Sequence, residues 1–183
     1  KENGINDIIL AIGHLGEKIK DYFGTGERFG VQIRYFHEEE PLGSAGCLFY
    51  IRDMLDEGPF FLIFGDVLFD IDIARMVRFH RENKAEATLF AHPNAHPFDS
   101  DLIIADKDNR VIGFDSKHND RSGYWYDNLV NAGLYLLERS FCGKMTAPVK
   151  TDLEKDILLP MAARQEAIYA YCSPEYVKDV GTP

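Results

Sequence analysis

Long apolar runs are missing from this chain. Its best candidates, such as Ile8 to Ile12 and Phe60 to Phe64, fall far short of the ~20 residues that a bilayer-spanning helix requires, so no membrane partner is expected. Nor does any stretch read as a signal peptide. Positive charge is also scarce: 20 Lys and Arg stand against 30 Asp and Glu, a formal net charge of −10. Without a basic cluster, such a surface repels phosphate backbones, and nucleic acid is excluded as a partner. The three cysteines, Cys47, Cys142 and Cys172, are odd in number and widely separated. They suggest neither a disulfide framework nor a zinc site, and a reducing, cytoplasmic setting fits best. The six histidines, His14, His37, His80, His92, His96 and His118, show no two-ligand helical spacing and read as surface or packing residues, with His118 left open. No internal repeat, low-complexity tract or linker interrupts the 183 residues, of which 45% are hydrophobic. One domain, residues 1–183, is expected.

What is present is an alternation. Short apolar runs suited to buried strands (8–12, 31–35, 60–64, 87–91, 129–137, 168–172 and 176–179) alternate with segments of helical periodicity. That pattern predicts an α/β domain with a mostly parallel sheet flanked by helices. Helices are predicted over 17–22, from a Ser44 cap toward Leu55, from an Asp72 cap over Ile73 to about Asn83, and from a Thr151 or Asp152 cap to about Arg164. Leu102 to Ala105 and Val111 to Phe114 flank Asp106-Lys107-Asp108-Asn109, a small antiparallel hairpin insertion. Lys1-Glu2-Asn3-Gly4 reads as the last turn of a helix, and Gly181-Thr182-Pro183 stops inside a loop, so further residues are expected at both ends.

Three segments carry candidate chemistry. Phe60 to Phe64 followed by Gly65-Asp66 places a carboxylate at a strand end, where open α/β sheets bind ligands. The plain alternative is that Asp66 starts a turn. Tyr176 to Asp179, followed by Val180-Gly181, offers a second carboxylate beside a glycine. Two such groups suit one magnesium ion, which prefers one or two carboxylates with phosphate oxygens and water. Pro41-Leu42-Gly43-Ser44-Ala45-Gly46 is a small-residue turn able to let a base or phosphate lie against backbone, or simply a capped helix start.

Together these segments resemble the sugar-1-phosphate nucleotidyltransferase superfamily over nearly the whole chain. The likeness rests on Pro41 to Gly46, on Gly65-Asp66 followed by Leu68-Phe69-Asp70-Ile71-Asp72, on Asn131-Ala132-Gly133-Leu134-Tyr135, on Leu153 to Leu158, and on Asp179-Val180-Gly181-Thr182-Pro183, in the family's order. His96 to Ile103 and Asn128 to Gly133 look most like bacterial heptose-1-phosphate guanylyltransferases, including forms fused to a haloacid-dehalogenase-type phosphatase. The resemblance implies a Rossmann-like sheet and condensation of a nucleoside triphosphate, GTP by that likeness, with a sugar 1-phosphate of heptose or mannose type, releasing pyrophosphate. It implies that Asp66 and Asp179 hold Mg2+, that Lys117 grips the sugar phosphate, and that Gly43, Ser44, Ala45, Gly46 and Gly65 lie against the nucleotide. Asp99, Ser100, Asp101, Asn131 and Gly133 would line the sugar. The resemblance also allows a homo-oligomer and a fused phosphatase domain.

Two departures stand out. The family's opening glycine-rich loop has no counterpart here, which implies that one strand–loop–helix unit of roughly 30 residues is absent and that this stretch alone is inactive. Gly24-Thr25-Gly26-Glu27-Arg28 joins a helix to a strand and is no substitute. The family's Glu-Lys-Pro appears as Ser116-Lys117-His118, so only the lysine charge is kept. Tyr124, Trp125 and Tyr126 could line a sugar site or form an interface or lid. Two rival readings remain: a non-catalytic relative that binds nucleotide-sugar, and a glycosyltransferase using Asp70-Ile71-Asp72 as its metal motif, although Asp72 reads better as a helix cap.

Overall fold

The computed structural model describes residues 3–181. Lys1, Glu2, Thr182 and Pro183, with the parts of the end motifs that fall on them, lie outside the described residues. Contacts divide the chain into two compact units, one of residues 3–55 with Met145–Leu153 and one of Asp56–Lys144 with residues 154–181.

In the first unit, β1 (Asp7–Ile12) and β2 (Gln32–His37) pair in parallel across α1 (Gly16–Phe23), as their apolar runs predict. The ion pair of Arg34 with Asp7 ties the two strands at one end. The helix expected from Ser44 to Leu55 is shorter. It comprises α2 (Cys47–Ile51) and a 3-10 turn, Arg52–Met54. Ser44 does not cap it, because its hydroxyl instead accepts from the Leu153 amide at 2.8 Å. A partner 109 positions away has displaced the local one.

The second unit is built on a six-stranded sheet. Its strands are β3 (Phe60–Ile63), β5 (Ala87–His92), β6 (Leu102–Ala105), β7 (Val111–Asp115), β8 (Val130–Leu137) and β9 (Ile168–Cys172). In accord with the expected mostly parallel sheet, β3, β5, β6 and β9 all run one way. The long β8 lies antiparallel between β3 and β5, and β6 and β7 form the expected hairpin at its flank. Only β5 and β9 pair directly in parallel within this sheet. The Asp106 carboxylate closes the hairpin turn by accepting from the Asp108 and Arg110 amides at 2.9 and 3.0 Å.

Helix α3 (Ile73–Glu82) starts where predicted, with the Asp72 carboxylate accepting from the Arg75 amide at 2.9 Å. That bond settles Asp72 as a cap. Met76, Val77 and Phe79 of α3 pack with Phe90, Leu134, Leu136 and Tyr171 of the sheet, which forms the core of this unit. Burying such side chains stabilises by about 1.5–3 kcal/mol each. His80, on the same helix face, is buried and bonds Thr88 at 2.7 Å, in accord with a packing role. Burial pushes its pKa below the usual histidine range, against the pull of Glu138. The helix predicted near Thr151 begins as a wider, π-type turn, Leu153–Leu158, before α4 (Leu159–Ala163), which packs on β7. Pro160 has no N–H to continue the ordinary ladder and sits just beyond the wider turn.

One strand escaped prediction. β4 (Val67–Asp70) pairs antiparallel with β10 (Tyr176–Asp179), with Asp179 opposite Val67. This two-stranded ribbon places the site.

Candidate active site

Asp66 lies in the tight turn between β3 and β4, closed by the Val67 amide donating to the Phe64 carbonyl at 3.1 Å. The turn rests on β8. Gly133 adopts φ +68°, and its carbonyl accepts from the Phe64 amide at 3.0 Å. A Cβ on Gly133 would come within 2.9 Å of the Phe64 ring and 3.3 Å of Val67. Glycine is therefore required there on two counts, a left-handed backbone and the close approach of the turn that carries Asp66. Gly133 supports the site from beneath and offers no side chain to a ligand.

Asp179 reaches the same place from the β10 side. Antiparallel pairing with β4 brings the end of β10 back beside Asp66, and the Val180 amide donates to the Asp66 carbonyl at 2.8 Å. Gly181 sits between the two carboxylates, and a Cβ there would lie 2.7 Å from Asp66 Oδ2 and 3.1 Å from Asp179 Oδ1. Those oxygens therefore lie within about 6 Å of each other. The Gly181 amide donates to Asp179 Oδ1 at 2.7 Å and fixes its rotamer. Each aspartate was expected at a strand end of a mostly parallel sheet, the two sharing one ion. They do meet, but by the antiparallel β4–β10 ribbon. Among the described residues no cluster of three His, Cys, Asp or Glu side chains could hold a metal ion. The exposed pair Asp66 and Asp179 fits a hard cation that takes its other ligands from water and phosphate, since two facing carboxylates with nothing between them repel. At Gly65 a Cβ would meet nothing within 4 Å, so packing places no demand on that position.

A second group of candidates lies around the end of β7. The Asp101 carboxylate accepts from the Lys117 amide at 2.8 Å, which binds the turn at Asp99, Ser100 and Asp101 to the segment carrying Lys117. Ser100 is held by the Asn94 amide at 3.2 Å and by the His96 carbonyl at 3.3 Å. Among the described residues no hydrogen bond or ion pair joins Lys117 to Asp66 or Asp179. Asn131, on β8, donates to the Tyr135 hydroxyl at 2.7 Å and to Glu154. Glu154 lies in the segment singled out as the family-like helix, but its contact with Asn131 was not foreseen.

The organising residue of this group has no sequence signature. Buried Arg121 donates to Asp115 Oδ2 at 2.9 Å, to the Pro97 carbonyl at 2.7 Å, and to the Ser100 and Asp115 carbonyls at 2.9 and 2.6 Å. Asn119 and Tyr124 also donate to Asp115, at 2.7 and 2.9 Å. Burial alone would raise the Asp115 carboxyl, but these donors and the Arg121 charge outweigh it and hold the group below the usual carboxylate range. Tyr124 is thus anchored, whereas Trp125 is 89% exposed. An arginine six residues after an aspartate in a loop has no periodicity to reveal it.

The turn from Gly43 to Gly46 belongs to the first unit. Gly43 adopts φ +78°, and a Cβ there would lie 2.5 Å from the Thr151 carbonyl oxygen. One on Gly46 would lie 2.4 Å from that of Leu42. Amides of Ala45 and Thr151 bond to the carbonyls of Thr151 and Leu42 at 3.1 and 2.9 Å. Both glycines are thus explained by the tight packing of this turn on residues 149–151.

The family model described as nucleotidyl transferase matches residues 1–183. The chain belongs to the nucleotidyl transferase family. It is 30% identical over 181 residues to the mannose-1-phosphate guanylyltransferase of Mycobacterium tuberculosis, covering 98% of this chain and 49% of that protein. With the mannose-1-phosphate guanyltransferase of Yarrowia lipolytica it shares 32% identity over 186 residues, again covering 98% and 49%. The chain thus spans about half the length of the curated relatives it matches. The crystal structure of HddC from Yersinia pseudotuberculosis matches with a TM-score of 0.83 at 20% identity, covering 100% of this chain and 76% of that one. The same protein complexed with GMP-PN gives 0.81 at 19%. At that identity the likeness is one of fold, and it agrees with the α/β class read from the strand and helix pattern.

Proposed function

We propose that the protein carrying this chain condenses a nucleoside triphosphate, GTP, with a sugar 1-phosphate of mannose or heptose type, giving a nucleotide sugar and pyrophosphate. The observation that carries the reading is the meeting of Asp66 and Asp179 around Gly181, in a chain of the nucleotidyl transferase family. Named relatives that are mannose-1-phosphate guanylyltransferases support the base and the sugar class.

In this scheme a phosphate oxygen of the sugar phosphate forms a bond to the α-phosphorus, and the bond from that phosphorus to the β-phosphate bridging oxygen breaks. Pyrophosphate carries away the electron pair. The nucleophile is already an anion, so no general base is needed, and catalysis rests on positioning and on offsetting charge. A magnesium ion, when bound, neutralises phosphate oxygens and orients them. Asp66 and Asp179 are the residues that hold it. Lys117 contributes a point charge to the sugar phosphate, and Asp99, Ser100 and Asp101 supply donors and acceptors for hydroxyls. Gly65, where no packing demand exists, leaves room for a ligand to approach the backbone. The turn from Gly43 to Gly46 is the candidate surface for the base.

The test is pyrophosphate release by the full-length protein with each of the four common nucleoside triphosphates and a panel of sugar 1-phosphates. GTP with mannose 1-phosphate or a heptose 1-phosphate is expected to give the highest kcat/KM. Nucleotide-sugar binding without turnover of any pair would overturn the enzyme reading in favour of a binding protein. In the same assay Lys117→Ala is expected to raise KM for the sugar phosphate well beyond that for GTP. Equal changes, or none, would remove Lys117 from the sugar-phosphate site.

A further inference from the structure

A cavity of about 340 Å³ lies within the second unit, between α3, the end of β9 and the turn of the β6–β7 hairpin. Arg75, Arg78, Phe79 and Glu82 line it from the helix, Tyr171 from the strand and Asn109 from the turn. None of these residues belongs to the two-carboxylate site or to the segments around Lys117.

Tyr171 is 5% exposed, yet among the described residues its hydroxyl has no hydrogen-bond partner. A buried phenol normally finds one, and leaving it unmatched costs about 1–3 kcal/mol. Its ring is fixed by Phe79 and Phe90, with centroids 5.4 and 5.8 Å away, so the hydroxyl cannot swing out to water without disturbing the core. A phenol is already a donor at neutral pH, and burial raises the Tyr171 pKa further.

The cavity wall also carries two positive charges, Arg75 and Arg78, in a protein of net charge −10, and these two act on the Tyr171 hydroxyl together with the opposing charges of Asp72 and Glu175. Arg75 and Arg78 stand one helical turn apart on the same side of α3. Among the described residues neither guanidinium has an ion-pair partner, although Glu82 shares the lining. Guanidinium forks match phosphate oxygens in pairs, and two of them beside an unmatched phenol make an anion-binding wall. Asn109 and Glu82 supply an amide and a carboxylate suited to hydroxyl groups, and the Phe79 ring offers an apolar face. The volume lies at the small end of the range for ligand pockets, which suits a monosaccharide better than a nucleotide.

We propose that this cavity is a binding site for a sugar phosphate, with the phosphate on Arg75 and Arg78, whose exposed side chains shift to bring a phosphate oxygen to the solvent-closed Tyr171 hydroxyl, and the hydroxyls facing Asn109 and Glu82. The site is separate from the proposed reaction and does not depend on it.

Titration calorimetry with glucose 6-phosphate, which lacks the 1-phosphate of the proposed substrate, tests the assignment. Saturable binding is expected to the wild-type chain and, unchanged, to Asp66→Asn. The Arg75→Ala/Arg78→Ala variant, whose arginines are exposed, should lose affinity at least about tenfold, and Tyr171→Phe several-fold at unchanged melting temperature. Inorganic phosphate should bind more weakly than the sugar phosphate. The proposal is overturned by an absence of saturable binding, by affinity that survives loss of both arginines, or by affinity that vanishes in Asp66→Asn. Inorganic phosphate binding as tightly as the sugar phosphate would overturn the assignment of a sugar to the remaining space.

Discussion

Gly133 and Gly181 are both pressed by neighbouring atoms, yet replacing them should have different consequences. At Gly133 the backbone is left-handed and the nearest atoms belong to Phe64 and Val67. Gly133→Ala is therefore expected to cost about 2 kcal/mol of stability, read as a lower urea midpoint, with activity falling only as the fold does. At Gly181 the nearest atoms are the carboxylate oxygens of Asp66 and Asp179, which are exposed and can move. Gly181→Ala should leave the urea midpoint within about 0.5 kcal/mol of wild type while lowering kcat and raising the magnesium concentration needed for half-maximal rate. A stability loss at Gly181 equal to that at Gly133, with an unchanged magnesium requirement, would mean that the glycine serves only the chain. Asp66, Asp179 and Gly181 were legible in the sequence, because each stands at a strand end or just beyond one, whereas Gly133 lies inside β8 and was singled out only by the family resemblance. Arg121 was not, since its four acceptors lie on residues brought near only by folding.

Among the elements, the β7 end and the loops around it form one assembly held by the Arg121–Asp115 pair. Arg121→Ala would remove the cation paired with the buried Asp115 carboxylate, which keeps only Asn119 and Tyr124 as donors, and would take from the Ser100 carbonyl its Arg121 donor, at a cost of about 3 kcal/mol. It should also loosen the turn from Asp99 to Asp101, raising KM for the sugar phosphate more than for the triphosphate. The pH dependence has a definite sign. The folded-state pKa of Asp115 is lowered, so its contribution is complete above the ordinary carboxylate pKa and is lost as pH falls through the lowered one. Acid unfolding followed by circular dichroism should therefore be less steep in Arg121→Ala than in wild type over that window. An identical slope would show that the pair does not sense acid. Most elements here were legible from apolar runs and periodicity, and α3 down to its Asp72 cap. β4 was missed because four residues ending in Asp70 look like a loop, and their partner β10 is about a hundred positions away. The direction of β8 was equally hidden. It is buried along nearly its whole length, and a run without alternation does not reveal which way its neighbours point.

At the scale of the molecule, a chain of net charge −10 that is proposed to bring two phosphorylated substrates together must offset charge locally. In the proposed reaction the two-carboxylate site takes a cation and Lys117 is assigned to the sugar phosphate, while Arg75 and Arg78 line a separate cavity. The family was legible from five motifs in order. The geometry that joins the first and last carboxylates was not, because it depends on a ribbon between segments far apart in the chain. The most direct measurement is a double-mutant cycle on kcat in the full-length protein, using Asp66→Asn, Asp179→Asn and the pair together at saturating GTP and mannose 1-phosphate. If both carboxylates hold one magnesium ion, each single variant should lower kcat on the order of 100-fold, and the double variant should be little worse than the worse single one. Losses that multiply, or a single variant with wild-type kcat and an unchanged magnesium requirement, would contradict a shared cation at this site.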